Sequence, residues 1–414
     1  MICQIHTLKK TQFIQITVTI SSLISSKVFS AIGILLLFSY GCTPENPDGV
    51  PAHLQAIDSL IVLQGEPFKV GSLNLHKETV YDDSLHLDKI TAVSVDENNR
   101  VYIAGESWNR LKVFRFDRAG NLLDSLGTYG GGFGAFLEVS RLQLLNNRLY
   151  VFDDVLSRVS AVHLESFQMS DTVGFSNFYE QLSDREPKGH STVKYAGLNG
   201  SYLVAYQRER DPAYDQKGLV SYYLTNADGT LLSGKIHEQP DERYLVGDYA
   251  GRPAPFTLSL SEKPLLTVSA EGRIYSAFTD EFLIYVFGPD GIDLHSYYYP
   301  FQRSDLDPAK VIHPRYSHNN QLLMVRESAD YPKQWPALYS MIADDEGKIW
   351  ISTIEDDRSL LGWYVLDDLT GKLVTSFNWP IDKPIVAVKN GLVYTIEKNS
   401  MGYEIVVKYK MHEE

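Results

Sequence analysis

One pattern recurs six times along the 414 residues: an apolar run, a tight turn, then a second run that opens with an aromatic residue. It reads ITAVSVDENNRVYIAGE (90–106), RLQLLNNRLYVFDD (141–154), VKYAGLNGSYLVAYQ (193–207), LLTVSAEGRIYSAFTD (265–280), LYSMIADDEGKIWISTIED (338–356) and IVAVKNGLVYTIEK (385–398). The turns hold Asn98-Asn99, Asn146-Asn147, Asn199-Gly200, Glu271-Gly272, Glu346-Gly347 and Asn390-Gly391. Asn and Gly tolerate the positive φ that tight hairpin turns require. Each segment is therefore predicted to be a β-hairpin, and 26 Tyr, 18 Phe and 5 Trp suit strands better than helices.

A third strand follows each hairpin: LKVFRFD, RVSAVHLE, LVSYYLT, FLIYVFG, GWYVLDD and EIVVKYKM. Four of these run through Gly120, Gly229, Gly291 or Gly371 into a fourth strand, NLLDSLG, TLLSGKI, IDLHSYYY or KLVTSFNW. Four antiparallel strands per unit, repeated around an axis, make a propeller blade. The expectation is an all-β, six-bladed β-propeller over residues 57–414. The sixth unit ends after three strands, so an N-terminal strand from SLIVLQGEPFKVGSLNL (59–75) is expected to complete it and close the ring.

The glycine-rich GTYGGGFGAF (127–136) lacks the G-x-G-x-x-G spacing of a dinucleotide site, and no helical pattern follows it. It resembles the GxxGxGPGEF linker of NHL-type propellers, with Phe133 for Pro and Ala135 for Glu. RLYVFDDVLSRVSAV (148–162) is similar to the iYVaDxxnxRIxvF signature of that family, with Asp153 and Arg158 at its Asp and Arg positions. The resemblance to NHL- and TolB-like propellers implies the same fold, but that family includes enzymes, sensors and binding scaffolds, so it assigns no function.

The N-terminus carries an address. Lys9, Lys10 and Lys27 are the only Lys, Arg, Asp or Glu residues before Cys42, and VFSAIGILLLFSYGC (28–42) has the length of a signal h-region rather than of a bilayer span. Residues 39–42, SYGC, resemble a bacterial lipoprotein signal, in which cleavage leaves the cysteine acylated. The resemblance implies a signal peptide at 1–41, lipidation at Cys42 and a flexible tether at 42–56. With Thr43 rather than Asp next to the cysteine, it also implies an outer-membrane lipoprotein of the cell envelope. Beyond the signal, 35 basic residues face 52 acidic ones, a net charge of −17, which argues against nucleic acid as a partner.

Functional residues are harder to read. No nucleophile elbow, H-E-x-x-H or Walker sequence occurs, and no metal or cofactor is expected. Strand alternation puts the first-to-second and third-to-fourth turns of every blade on one face. The long insertions at 176–191, 207–218, 237–263 and 300–336 are then expected on the other, where binding concentrates on a rigid scaffold. The candidate ligand-binding residues are Arg208, Arg210, His313, Arg315, Tyr316 and Trp335, with arginine and aromatic side chains suited to contact. The expected function is a lipid-anchored scaffold binding a protein, peptide or glycan. The alternative is a lactonase- or lyase-like enzyme with its site at the channel mouth.

Overall fold

The computed structural model describes residues 50–64, 74–81, 85–107, 110–182, 186–214, 218–316 and 320–412. Signal peptide, Cys42 and most of the expected tether lie outside the described residues. Six four-stranded antiparallel sheets stand in a ring, a six-bladed β-propeller, and the innermost strand of the sixth blade meets that of the first. The first blade is Lys89–Val95, Val101–Ser107, Arg110–Phe116 and Leu122–Leu126. The second begins at Arg141, the third at Gly189, the fourth at Pro264, the fifth at Leu338 and the sixth at Ile385. Each predicted hairpin forms the two inner strands of a blade.

Alternation along each strand turns one set of side chains to each neighbouring blade, so the core is divided among six seams. Between the first and second blades lie Tyr102, Val113, Phe136, Leu149 and Val151. Between the fourth and fifth lie Tyr275, Ile284, Tyr297, Ile349 and Leu366. The aromatic that opens the second strand is buried in five of the six blades: Tyr102, Tyr202, Tyr275, Trp350 and Tyr394.

The ring is closed by an N-terminal strand, but not by the segment expected. Asn74–Tyr81 pairs antiparallel with Glu404–His412, from Asn74 opposite His412 to Tyr81 opposite Val406. Tyr81 is fully buried against Phe116 and Tyr394, tying the sixth blade to the first. The more apolar Leu60–Val62 instead adds a fifth strand to the fourth blade, parallel to Asp293–Tyr298. NLHKETVY is an outermost strand exposed at His76, Lys77 and Glu78, so it carries few apolar residues and reads as a loop, although Leu75 and Val80 pack toward the fifth blade and Tyr81 toward the first. The tether is also shorter than expected, because Val50 and Leu54 are buried against Leu283 and Tyr298.

The third blade differs too. Its fourth strand is His237–Pro240 rather than TLLSGKI, which makes only a bridge between Leu231 and Thr225. His237 enters the seam with the fourth blade, its ring 4.7 Å from Tyr285 and 5.2 Å from Phe287. Burial, opposed by Glu238, holds its imidazole down at about 4.

Two outcomes test this architecture. Deleting residues 74–81 bares the edge of Glu404–His412, and the protein should aggregate; a soluble monomer of unchanged melting temperature would refute the closure. The unfolded chain protonates His237 near pH 6.5 and the native chain only near 4, so stability present at neutral pH is lost as pH falls between those values. The loss is at most about 3 kcal/mol, and His237→Phe should abolish it, as denaturant titrations across that range would show.

Candidate functional site

The six inner hairpin turns converge at one mouth of the central channel and enclose a cavity of about 620 Å³. Every blade contributes to it. Asn98 and Arg100 come from the first blade, Asn146 and Asn147 from the second, Asn199 and Ser201 from the third, Ser269 from the fourth, Asp345 from the fifth and Lys389 from the sixth. Deeper walls include Leu142, Leu203 and Ile274. This is the face of the short turns, opposite the one from which the long insertions depart.

Four carboxylates, Asp96, Glu97, Asp344 and Asp345, and two cations, Arg100 and Lys389, line this mouth, and all but Asp344 are ion-paired within the protein. Asp96 is buried and accepts hydrogen bonds from the backbone N–H groups of Asn98 and Arg100, from Arg100 Nε at 2.6 Å and from the Tyr102 hydroxyl at 3.2 Å. Burial opposes the Arg100 charge, but the Asp96 carboxylate outweighs it and raises the guanidinium above its ordinary range. The fifth blade repeats the device: Asp344 accepts from the Glu346 and Lys348 N–H groups and from Trp350 Nε1 at 2.9 Å. Burial still lifts the Asp344 carboxyl above the usual carboxylate range. Lys389 bridges three blades, 2.6 Å from Glu97 and 3.3 Å from Asp345. The Gln143 side chain pairs with both backbone groups of Ala196 at 2.8 Å, joining the second blade to the third. The lining thus presents amides and hydroxyls among paired ions, chemistry suited to a neutral, hydrogen-bonding ligand.

The sequence analysis missed this site because its residues are turn residues, selected first for positive φ. The signal was there in the asparagines: Asn99, Asn146, Asn147 and Asn390 all have φ between 50° and 58°. Only the ring brings their neighbourhoods together.

The residues expected to bind ligand are distributed differently. Trp335 is 7% exposed, in a small core with Leu245, Leu258, Leu306 and Ile354. Arg358 lies 5.1 Å over its ring, and Arg303 Nε donates to its carbonyl at 2.7 Å. The guanidinium of Arg210 is buried on Asp241 at 3.2 Å and the Glu242 carbonyl at 2.9 Å, 5.3 Å over Tyr244. Arg208 is exposed at the end of Tyr202–Arg208. His313, Arg315 and Tyr316 fall on the helix Pro308–Tyr316, and their side chains lie outside the described residues. Trp335 and Arg210 are committed to the fold.

The insertions themselves form a cap. The hairpin Leu245–Tyr249/Arg252–Phe256 packs on the helix Asn320–Glu327, with Arg326 4.3 Å over Phe256 and Asp248 N donating to Ser328 Oγ at 2.7 Å. A side chain at Gly247 would collide with the Val325 carbonyl, so the approach requires glycine. The 176–191 insertion does not stay on this face. Its helix Ser176–Leu182 lies along the outer seam of blades two and three, Phe178 against Tyr223. Gln181 donates to the Gly229 carbonyl and accepts from Leu231 N, both at 3.2 Å, at the outer turn of the third blade.

The glycine-rich stretch is a blade crossing gripped by Asp153 and Arg158. Asp153, 1% exposed, accepts from Leu137 N at 2.9 Å and Leu156 N at 3.0 Å. Arg158 donates to the Gly131 and Ala135 carbonyls. A side chain on Gly127 would come within 2.8 Å of the buried Phe136 ring. Both side chains therefore bind backbone atoms.

No known protein family matches the sequence, and no curated protein matches it. Solved structures of similar fold include a Bacteroides fragilis protein described as exported, at 12% identity and TM-score 0.49, covering 86% of this chain and 100% of that one. A DUF4221 family member from Bacteroides vulgatus follows at 11% identity and TM-score 0.46, covering 84% and 100%. Streptogramin B lyase shows 11% identity and TM-score 0.40, covering 82% and 98%. At such values none of these likenesses assigns a function here.

Burial separates the two arginines experimentally. Arg210→Ala strands the Asp241 carboxylate and should cost about 1–3 kcal/mol. Arg208→Ala should stay within about 0.5 kcal/mol. Equal melting temperatures for the two variants would contradict the buried ion pair.

Proposed function

We propose that the protein is an exported, lipid-anchored binding scaffold of NHL-like type whose ligand enters the cavity at the short-turn mouth. The observation that carries this reading is a single cavity, lined by all six blades, in which the ionic groups already have partners inside the protein. Its volume of about 620 Å³ falls in the range of small-ligand sites. A charged ligand would have to break these pairs. A neutral one, such as a glycan segment or an uncharged peptide backbone, finds Asn98, Asn199 and Ser201 able to donate and accept. The grip of Asp153 and Arg158 on the glycine-rich crossing supports the NHL-like relation, since these are the residues through which the sequence resembles that family.

Among the described residues no helix is long and apolar enough to cross a membrane. Attachment through Cys42 is part of the proposal, and it rests on the SYGC resemblance at 39–42. Cys42→Ala should move the protein from the membrane fraction to the soluble fraction and abolish palmitate labelling. Membrane retention without labelling of the wild type would defeat the anchor. For the site, Asn98→Ala with Asn199→Ala should weaken capture on a glycan array at least tenfold at unchanged melting temperature, while Arg208→Ala leaves it intact. Loss with Arg208→Ala alone would move the ligand to the insertion face.

A further inference from the structure

A second cavity of about 240 Å³ lies on the opposite face, where the fourth blade meets the N-terminal segment. Its floor is the turn between the second and third strands of that blade, held from both sides. Thr279, fully buried, accepts Lys263 N on its hydroxyl at 2.8 Å and Leu338 N on its carbonyl at 3.0 Å. The next residues, Asp280 and Glu281, are thereby presented on a fixed backbone. Tyr298, Tyr299 and Phe301, at the end of the fourth strand, form the aromatic wall. Phe282 backs it, 5.4 Å from Tyr299 and 6.4 Å from Phe301. The N-terminal segment supplies His53, whose Nε2 lies 3.0 Å from Glu281 Oε2.

At the short-turn mouth each carboxylate is ion-paired or, like Asp344, hydrogen bonded by N–H donors, and the acidic groups here are less fully answered. Arg303 also lines the cavity, but its guanidinium is directed to the Trp335 carbonyl at 2.7 Å and to Glu262 at 3.5 Å. Asp280 has no ion pair among the described residues. Burial, with Glu262 and Glu281 adding and Arg303 opposing, pushes its carboxyl up to about 6. Above that pH a partly desolvated carboxylate faces a cavity walled by aromatic rings. An anion would be repelled, and a neutral group would leave the charge unanswered. A metal ion would require more ligands, for no group of three His, Cys, Asp or Glu suited to a metal occurs among the described residues.

We propose that this cavity binds an alkylammonium group, with the Asp280 carboxylate as its counter-ion and Tyr298, Tyr299 and Phe301 as its aromatic walls. Such a cation gains from a carboxylate and from ring faces within about 6 Å, and the gain is largest where water is excluded. The site is independent of the short-turn cavity. Because His53 belongs to the segment that follows the proposed lipid anchor, the site also joins the anchor-proximal chain to the ring.

The test is titration of the full-length protein in detergent at about pH 8 with choline, ethanolamine and 3,3-dimethyl-1-butanol, the neutral carbon isostere of choline. Choline and ethanolamine should bind, the isostere at least tenfold more weakly than choline. Asp280→Asn should weaken choline at least tenfold, and Glu281→Gln, in the same turn, severalfold with the fold unchanged by circular dichroism. Choline affinity should also fall as pH drops through about 6, where Asp280 takes up its proton. Glu281, Glu262, Arg303, His53 and both tyrosines surround that group. The fall should persist in His53→Ala. Binding of the isostere equal to choline, no binding of either amine, or wild-type affinity in both acid variants would overturn the proposal.

Discussion

Each blade has two faces, and neither can be buried within the blade itself. The constraint on which the rest of the structure depends is therefore closure, since six sheets stay dry on both sides only if the last meets the first. The pairing of Asn74–Tyr81 with Glu404–His412 meets that constraint, and Tyr81 carries it across the seam onto Phe116. Glu404 adds a second link, its carboxylate accepting from Ile90 N of the first blade at 2.7 Å. With the ring closed, every four-stranded meander finds a partner on each side, and no inner edge is left to pair with another chain.

Closure also sorts the two ends of the channel. On one end the connections are tight turns, whose backbone is satisfied by local acids such as Asp96 and Asp344. Their side chains converge on the axis, and the charges among them are held by ion pairs or, at Asp344, by N–H donors. On the other end the connections are long enough to build a core of their own around Trp335, and Trp335 and Arg210 are consumed in the fold. Length of loop and availability for binding are thus separate properties in this protein. The cap takes up binding-type residues, while the short turns leave the larger cavity.

The N-terminal segment serves two sheets. Leu60–Val62 extends the fourth blade and Asn74–Tyr81 completes the sixth, so a stretch of chain that precedes the first repeat contributes strands to two blades. The burial of Val50 and Leu54 brings the fold close to the expected anchor, and this places His53 against the acidic turn at Glu281.

What the sequence alone determined was local. Short turns, strand alternation and an aromatic at the same place in each second strand specify six hairpins and their blades, because positive φ and side-chain alternation are set by residues within a few positions. The crossing at 127–136 was legible for the same reason, with Gly127 marking where a side chain would strike Phe136 and Gly130 and Gly134 holding positive φ. Tertiary structure decided the rest. Arg210 looked like a surface cation beside Glu209 and Asp211 until the chain brought Asp241 to it. The closing strand was hidden because its middle, His76 to Glu78, is polar and exposed and so resembles a loop, and because its partner Glu404–His412 lies far along the chain. The cavity was hidden because its walls come from six separate turns, and their convergence is a property of the closed ring, not of any stretch of residues.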